Sequence, residues 1–239
     1  GGAFDITAGP RVRAWGFTER RGQKPSSEEI RTIMGCVGCQ HMKLDERQRS
    51  VRFERPGMEI NLGAIGKGFA LDLLAGELIE CGLENFLIHG GGSSVLAWGD
   101  QNPGQENGWA VGLAHPTKPK WRLAGLRLHN QALSTSGAGR QFFHHRGKRY
   151  GHVIDPRTGF PAGPWLSLTA VSENATDAEA ASTGFFVYPV DDLQTEIQAQ
   201  QSLPRLIGVL PETRQDDVRV IPMADFDWID PPKESKTQG

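Results

Sequence analysis

Between Gly63 and Gly82, Ile65, Phe69, Leu73 and Leu78 recur at helical spacing with Ala70, Leu74 and Cys81 beside them, and Gly82 supplies a stop, so the run predicts a helix. A second helix is predicted in the Ala-rich stretch Ala175 to Val187, with shorter ones over residues 26 to 35, entered at Ser27, and Asp191 to Gln201. Alternation of Val51 and Phe53 with charged residues reads as a half-exposed strand. Apolar runs at Asn85 to His89, Trp109 to Ala114, Arg122 to Leu128, Ala132 to Thr135, Leu166 to Val171, Leu206 to Leu210 and Val218 to Ile221 read as further strands. The three between Trp109 and Thr135 suggest an antiparallel meander. The opening GGAFDITAGPRVRAWGF reads as a loop running into core rings at Trp15 and Phe17. Runs of strands between two marked helices give an α+β fold with a largely antiparallel sheet and packed helices. Residues 1 to 222 are expected to form one domain, followed by a polar, disordered tail over 223 to 239.

Charge narrows the function classes. With 26 basic and 28 acidic residues among 239, and no basic block, composition gives no support for nucleic-acid binding. No apolar run approaches the ~20 residues of a spanning helix. Three cysteines argue against a disulfide framework. The single CxxC of Cys36 and Cys39 lacks the second pair that a zinc site needs, and reads as a turn, with a redox pair as the alternative.

Several positions carry candidate chemistry. Glu179 and Thr183 lie four apart, so both side chains leave one helix face a turn apart, and two oxygen ligands so placed suit a hard divalent cation. The glycine-rich entrance at Gly63 to Gly68 invites a phosphate, because a helix N-terminus presents free amides. It matches neither a Walker loop nor a dinucleotide fingerprint, and composition alone favours reading Lys67 as a solvated lysine on the first turn. Gly90, Gly91 and Gly92 after a strand permit either close approach of a ligand or a tight bend. His152 stands where a strand ends and the turn DPRTG begins.

Taken in order, GGAFDITAGP, GAIGKGFALD, GGG, STSG, HVIDPRTG and AEAASTGFFV resemble the ApbE family of flavin transferases over roughly residues 1 to 189. The resemblance implies Mg²⁺-dependent transfer of the FMN moiety of FAD to a Thr or Ser hydroxyl of an acceptor, a flavin carrier of an electron-transfer system, with release of AMP. Alternatives within the same site are an FAD pyrophosphatase and a non-catalytic FAD-binding protein. By the same resemblance the metal ligands are the Ala64 carbonyl, the Glu179 carboxylate and the Thr183 hydroxyl. Lys67 lies by the phosphates, His152 accepts the attacking proton, and Asp155 fixes the turn or orients the imidazole. Gly91, Gly92, Ser136 and Gly137 line the nucleotide. The sequence departs from the family pattern at Glu179 and at Asn61, where the family places Asp, and at Ser93, where Asp or Asn often follows the glycines. The resemblance further implies a preceding N-terminal portion and work outside the cytoplasm, with no membrane span in these residues.

Overall fold

The computed structural model describes residues 1–17, 19, 22–138, 142–199, 203–212 and 217–233. Along the chain run helices α1 (Gly9–Ala14) and α2 (Ser27–Met34), strands β1 (Met42–Asp45) and β2 (Ser50–Phe53), and helix α3 (Gly66–Glu80). Strands β3 (Phe86–Gly90), β4 (Ser94–Trp98), β5 (Trp109–Ala114), β6 (Arg122–Leu128), β7 (Gln131–Gly137), β8 (Phe142–His145), β9 (Lys148–Gly151) and β10 (Ser167–Ser172) follow. Helices α4 (Ala175–Gly184) and α5 (Val190–Ala199) precede β11 (Arg205–Pro211), β12 (Val218–Pro222) and β13 (Trp228–Asp230). These elements gather into two compact units, residues 1–64 with 141–162 and residues 65–140 with 163–239. Among the described residues no helix is long and apolar enough to cross a membrane.

The first unit is built on a ring cluster. Trp15 is fully buried against Phe143, Tyr150 and Phe160, and its indole N–H donates to the Gly159 carbonyl at 2.9 Å. Phe17 joins the same cluster, as the sequence predicts for both rings. The segment before them is not wholly a loop: Pro10 in the first turn favours a helical start, and α1 forms there. Helix α2 begins one residue earlier than expected for its cap. Ser26, not Ser27, accepts from the Glu29 amide, while the Glu29 carboxylate accepts from the Ser26 amide, closing a capping box. Strand β2 is exposed along its whole length because its partner is only β1, a strand that its own sequence did not mark. The CxxC forms a turn with free thiols, and the Cys39 thiol donates to Asp5 Oδ1 at 3.0 Å. Burial and the Asp5 carboxylate push that thiol up from its ordinary pKa, which opposes a reactive thiolate.

In the second unit an antiparallel six-stranded sheet runs β12-β11-β10-β7-β4-β3. A separate sheet orders β13-β6-β5. The expected meander is thus divided: β5 and β6 pair with each other, whereas β7 pairs with β4 and β10. Leu126 and Leu128 of one sheet and Ala97, Leu133, Val171 and Ile207 of the other share one apolar core. The polar tail expected from residue 223 is corrected up to residue 233. Phe226 enters this core, and Trp228 pairs with Leu126, because two aromatics in an otherwise polar stretch supply enough apolar area to anchor a strand. Residues 234–239 lie outside the described ones.

Helix α3 forms where the sequence predicts it, but presents another face. Gly68, Leu71 and Ala75 are buried, whereas Phe69, Leu73 and Leu74 are exposed. The selecting force is close approach. A Cβ on Gly68 would stand 2.3 Å from the Ala175 carbonyl oxygen and 2.8 Å from the Thr176 Cα, so α3 and α4 meet backbone to backbone where only glycine fits.

Candidate active site

The α3–α4 contact is held by reciprocal capping. No residue at the entrance of α3 caps it with a side chain. Instead Glu179 reaches across from α4, and its Oε2 accepts from the Gly68 amide at 2.6 Å. In return Asp72 of α3 accepts from the Ala175 and Thr176 amides at 2.7 and 2.8 Å, and from the Thr176 hydroxyl. Asn174 completes the α4 cap by accepting from the Asp177 amide. Each helix thus has a carboxylate of the other set against its free N-terminal amides, where its partial positive charge lies.

Glu179 is 3% exposed, and a carboxylate so deeply buried needs a partner. Lys67 provides it, with its ammonium against Oε1. Burial lowers the Lys67 pKa from the ordinary lysine value. One turn beyond Glu179, the Thr183 hydroxyl lies 2.8 Å from that of Ser136 on β7, and the Ser136 hydroxyl also lies 3.0 Å from that of Ser182. Lys67 of α3, Ser136 of β7, and Glu179, Ser182 and Thr183 of α4 therefore form one connected polar cluster. Gly137 ends β7 opposite Ser167. Gly91 and Gly92 make the tight β3–β4 turn with φ of +61° and +74°, and nothing stands within 4 Å of where a Cβ would be. Of the two readings of the glycine triplet, the bend is realised, and it leaves open space above its backbone.

The first unit carries the other candidates. His152 follows β9 directly, as the sequence predicts, and its ring meets Phe17 edge to face. Asp155 spends its carboxylate on the turn itself: Oδ1 accepts from the Arg157 amide, and the Arg157 guanidinium donates to both oxygens. Its carbonyl also accepts from the Thr158 and Gly159 amides. Asn61 Oδ1 accepts from the Gly63 amide at 2.8 Å in an Asx turn that an aspartate would make equally well, so that departure leaves the local fold intact. Ala64 ends the 1–64 segment.

A cation that the family would place here fits the donor set. Glu179 and Thr183 offer only oxygen, as Mg²⁺ requires, and the lysine ammonium on Oε1 shows that the carboxylate draws a positive charge to this spot. Among the described residues no group of three or more His, Cys, Asp or Glu could hold a metal, and Glu179 with Thr183 would fill only part of a shell. Mg²⁺ commonly completes such a shell with water and substrate phosphate. The Asp177 carboxylate accepts from Asn174 Nδ2, and Asp177 lines a cavity with Gln131, Glu173 and Arg205.

Comparison with known proteins assigns this architecture. The structure is similar to the crystal structure of the ApbE protein of Thermotoga maritima, with a TM-score of 0.78 and 30% identity, covering 87% of this chain and 67% of that one. The ApbE family model matches residues 1–207, and the chain belongs to that family. It is 33% identical over 197 residues to the FAD:protein FMN transferase of Haemophilus influenzae, covering 80% of this chain and 56% of that protein. The corresponding protein of Escherichia coli K12 is 34% identical over 192 residues, covering 78% and 54%. The chain thus spans about half the length of these curated relatives.

Asp72, Gly68 and Ser182 are the site residues that the sequence reading missed. Asn174 and Asp177 stand as N-cap and N3 of α4, but nothing local to α3 says which distant helix Asp72 will cap.

Proposed function

We propose that this chain transfers the FMN moiety of FAD to a Ser or Thr hydroxyl of an acceptor protein, with AMP as the leaving group. The observation that carries the reading is the buried Glu179, paired with Lys67 and one helical turn from Thr183, in a chain of the ApbE family. Relatives 33% and 34% identical over the aligned residues are named for that activity.

The balance of the step is simple. The acceptor oxygen bonds to the FMN-side phosphorus, the bond from that phosphorus to the bridging oxygen breaks, AMP departs with the bridging oxygen, and the acceptor's proton goes to a base. Such transfers depend on in-line positioning and on neutralising the non-bridging oxygens. Glu179 and Thr183, with the Ala64 carbonyl, would hold Mg²⁺, which when bound neutralises phosphate charge and orients the diphosphate. Lys67 adds a second positive charge from the first turn of α3, where the helix N-terminus also favours an anion. His152 serves as the proton acceptor, the role that histidine most often fills in general acid–base transfer. Asp155 fixes the turn after it. Gly91, Gly92, Ser136 and Gly137 line the nucleotide.

The test is the intact mass of a purified flavin-carrier domain after incubation with the chain, FAD and Mg²⁺. The expected result is a carrier heavier by one FMN, fluorescent after denaturation, with one AMP released per adduct and none when the metal is chelated. AMP and free FMN formed without a carrier would mean a pyrophosphatase. FAD binding without AMP would mean a flavin-binding protein.

A further inference from the structure

The hydroxyl contacts around Thr183 fix where its proton points. Ser182 is fully buried, and its hydroxyl donates to the Glu179 carbonyl at 3.0 Å, a partner that can only accept. With that proton committed, the 3.0 Å contact between Ser136 and Ser182 must use the Ser136 proton. The 2.8 Å contact between Thr183 and Ser136 must then use the Thr183 proton. One assignment alone satisfies all three contacts: Thr183 donates to Ser136, Ser136 to Ser182, and Ser182 to the Glu179 backbone. Thr183 is left with no proton to offer, only lone pairs.

We infer that Ser136 and Ser182 are positioning residues that orient the Thr183 hydroxyl as an acceptor-only oxygen for the divalent cation. The inference rests on the cation reading given above and adds the device that makes a neutral hydroxyl serve it. A freely rotating threonine can turn its proton towards a cation and repel it. Here the proton is drawn back into the protein along a chain anchored on a helix carbonyl. Successive donation also polarises each oxygen in turn, which strengthens the donor at the open end. Glu179 takes part twice, through its side chain at the Gly68 amide and through its carbonyl at Ser182, so helix α4 fixes the carboxylate and the direction of the hydroxyl together.

The test measures Mn²⁺ binding to the full chain, by calorimetry and by the Mn²⁺ paramagnetic resonance signal, with melting temperature recorded alongside. Ser182→Ala removes the anchor and frees the Ser136 proton to turn on Thr183. Ser136→Ala removes the acceptor of the Thr183 proton. Each is expected to weaken Mn²⁺ binding about tenfold, the scale of one hydrogen bond to a charged group. The double variant is expected to be no weaker than Ser136→Ala, because both changes break one chain. Ser136→Thr, which keeps the hydroxyl, is expected to retain affinity. Wild-type affinity in Ser182→Ala, whatever its melting temperature, or additive losses in the double variant, would overturn the relay. A wild type that binds no Mn²⁺ would overturn the cation reading itself, and the relay with it. Should Ser182→Ala fail to fold, neutron diffraction on the wild type decides: a deuteron bonded to Thr183 Oγ1 and aimed at Ser136 supports the relay, and one on Thr183 aimed away from Ser136, or one on Ser136 aimed at Thr183, overturns it.

Discussion

Replacing Glu179 with alanine is expected to lower metal-dependent AMP release by at least about a hundredfold, as follows when ~3 kcal/mol of charge stabilisation is lost. Its effect on folding should be smaller. The Gly68 amide loses its acceptor at a buried helix end, at a cost of about 1–3 kcal/mol. Lys67, still 42% exposed on its side chain, can turn to water, so the lost ion pair adds little. Glu179→Asp distinguishes the two duties of this side chain. One methylene shorter, it cannot reach both Lys67 and the Gly68 amide without moving a backbone, so activity is expected to fall while part of the stability loss remains. The check is initial rate and melting temperature of the three proteins side by side. Undiminished turnover in Glu179→Ala would remove this carboxylate from the site.

Gly68→Ala is expected to be strongly destabilising. The added carbon would meet the Ala175 carbonyl carbon at 2.6 Å and its oxygen at 2.3 Å, and these are helix backbone atoms that cannot swing aside. The helices must separate, at about 3 kcal/mol or more. For a chain of this size that is a fall of roughly 6–12 °C in melting temperature. Separation also draws the amide of residue 68 from Glu179, so Mn²⁺ affinity is expected to fall in step. Thermal unfolding followed by far-ultraviolet circular dichroism measures the first effect. An unchanged melting temperature would mean that the α3–α4 contact is looser than described.

What the sequence made legible follows the range of the interactions. The existence and ends of α3 were readable because a local run of apolar residues and Gly82, at φ +83°, decide them. Its buried face was not. The helix is apolar on nearly every side, so periodicity cannot choose between Phe69 and Leu73 on one face and Leu71 on another. The choice falls to the small residues Gly68 and Ala75, which admit a neighbouring helix and which a count of hydrophobic positions underrates. Strand β4 escaped because SSVLAW follows the glycines too closely to stand out as a separate run, yet its pairing with β7 places Ser94 beside Ser134. Strand order in the six-stranded sheet depends on pairings across long loops, which no local pattern records. Glu179, Thr183 and Lys67 were found through resemblance and spacing. Asp72 and Ser182 meet partners set only by the fold, an amide 103 residues away for Asp72 and the Ser136 hydroxyl 46 residues away for Ser182, and neither type of residue announces such a role.

The most direct measurement is a crystal structure of the chain grown with Mn²⁺ and FAD, with the metal located by its anomalous scattering. The expected result is a single strong peak within coordination distance of the Glu179 carboxylate and Thr183 Oγ1, with Lys67 turned from Oε1 towards the FAD diphosphate. A peak elsewhere, or none beside a diphosphate bound at these residues, would contradict the account.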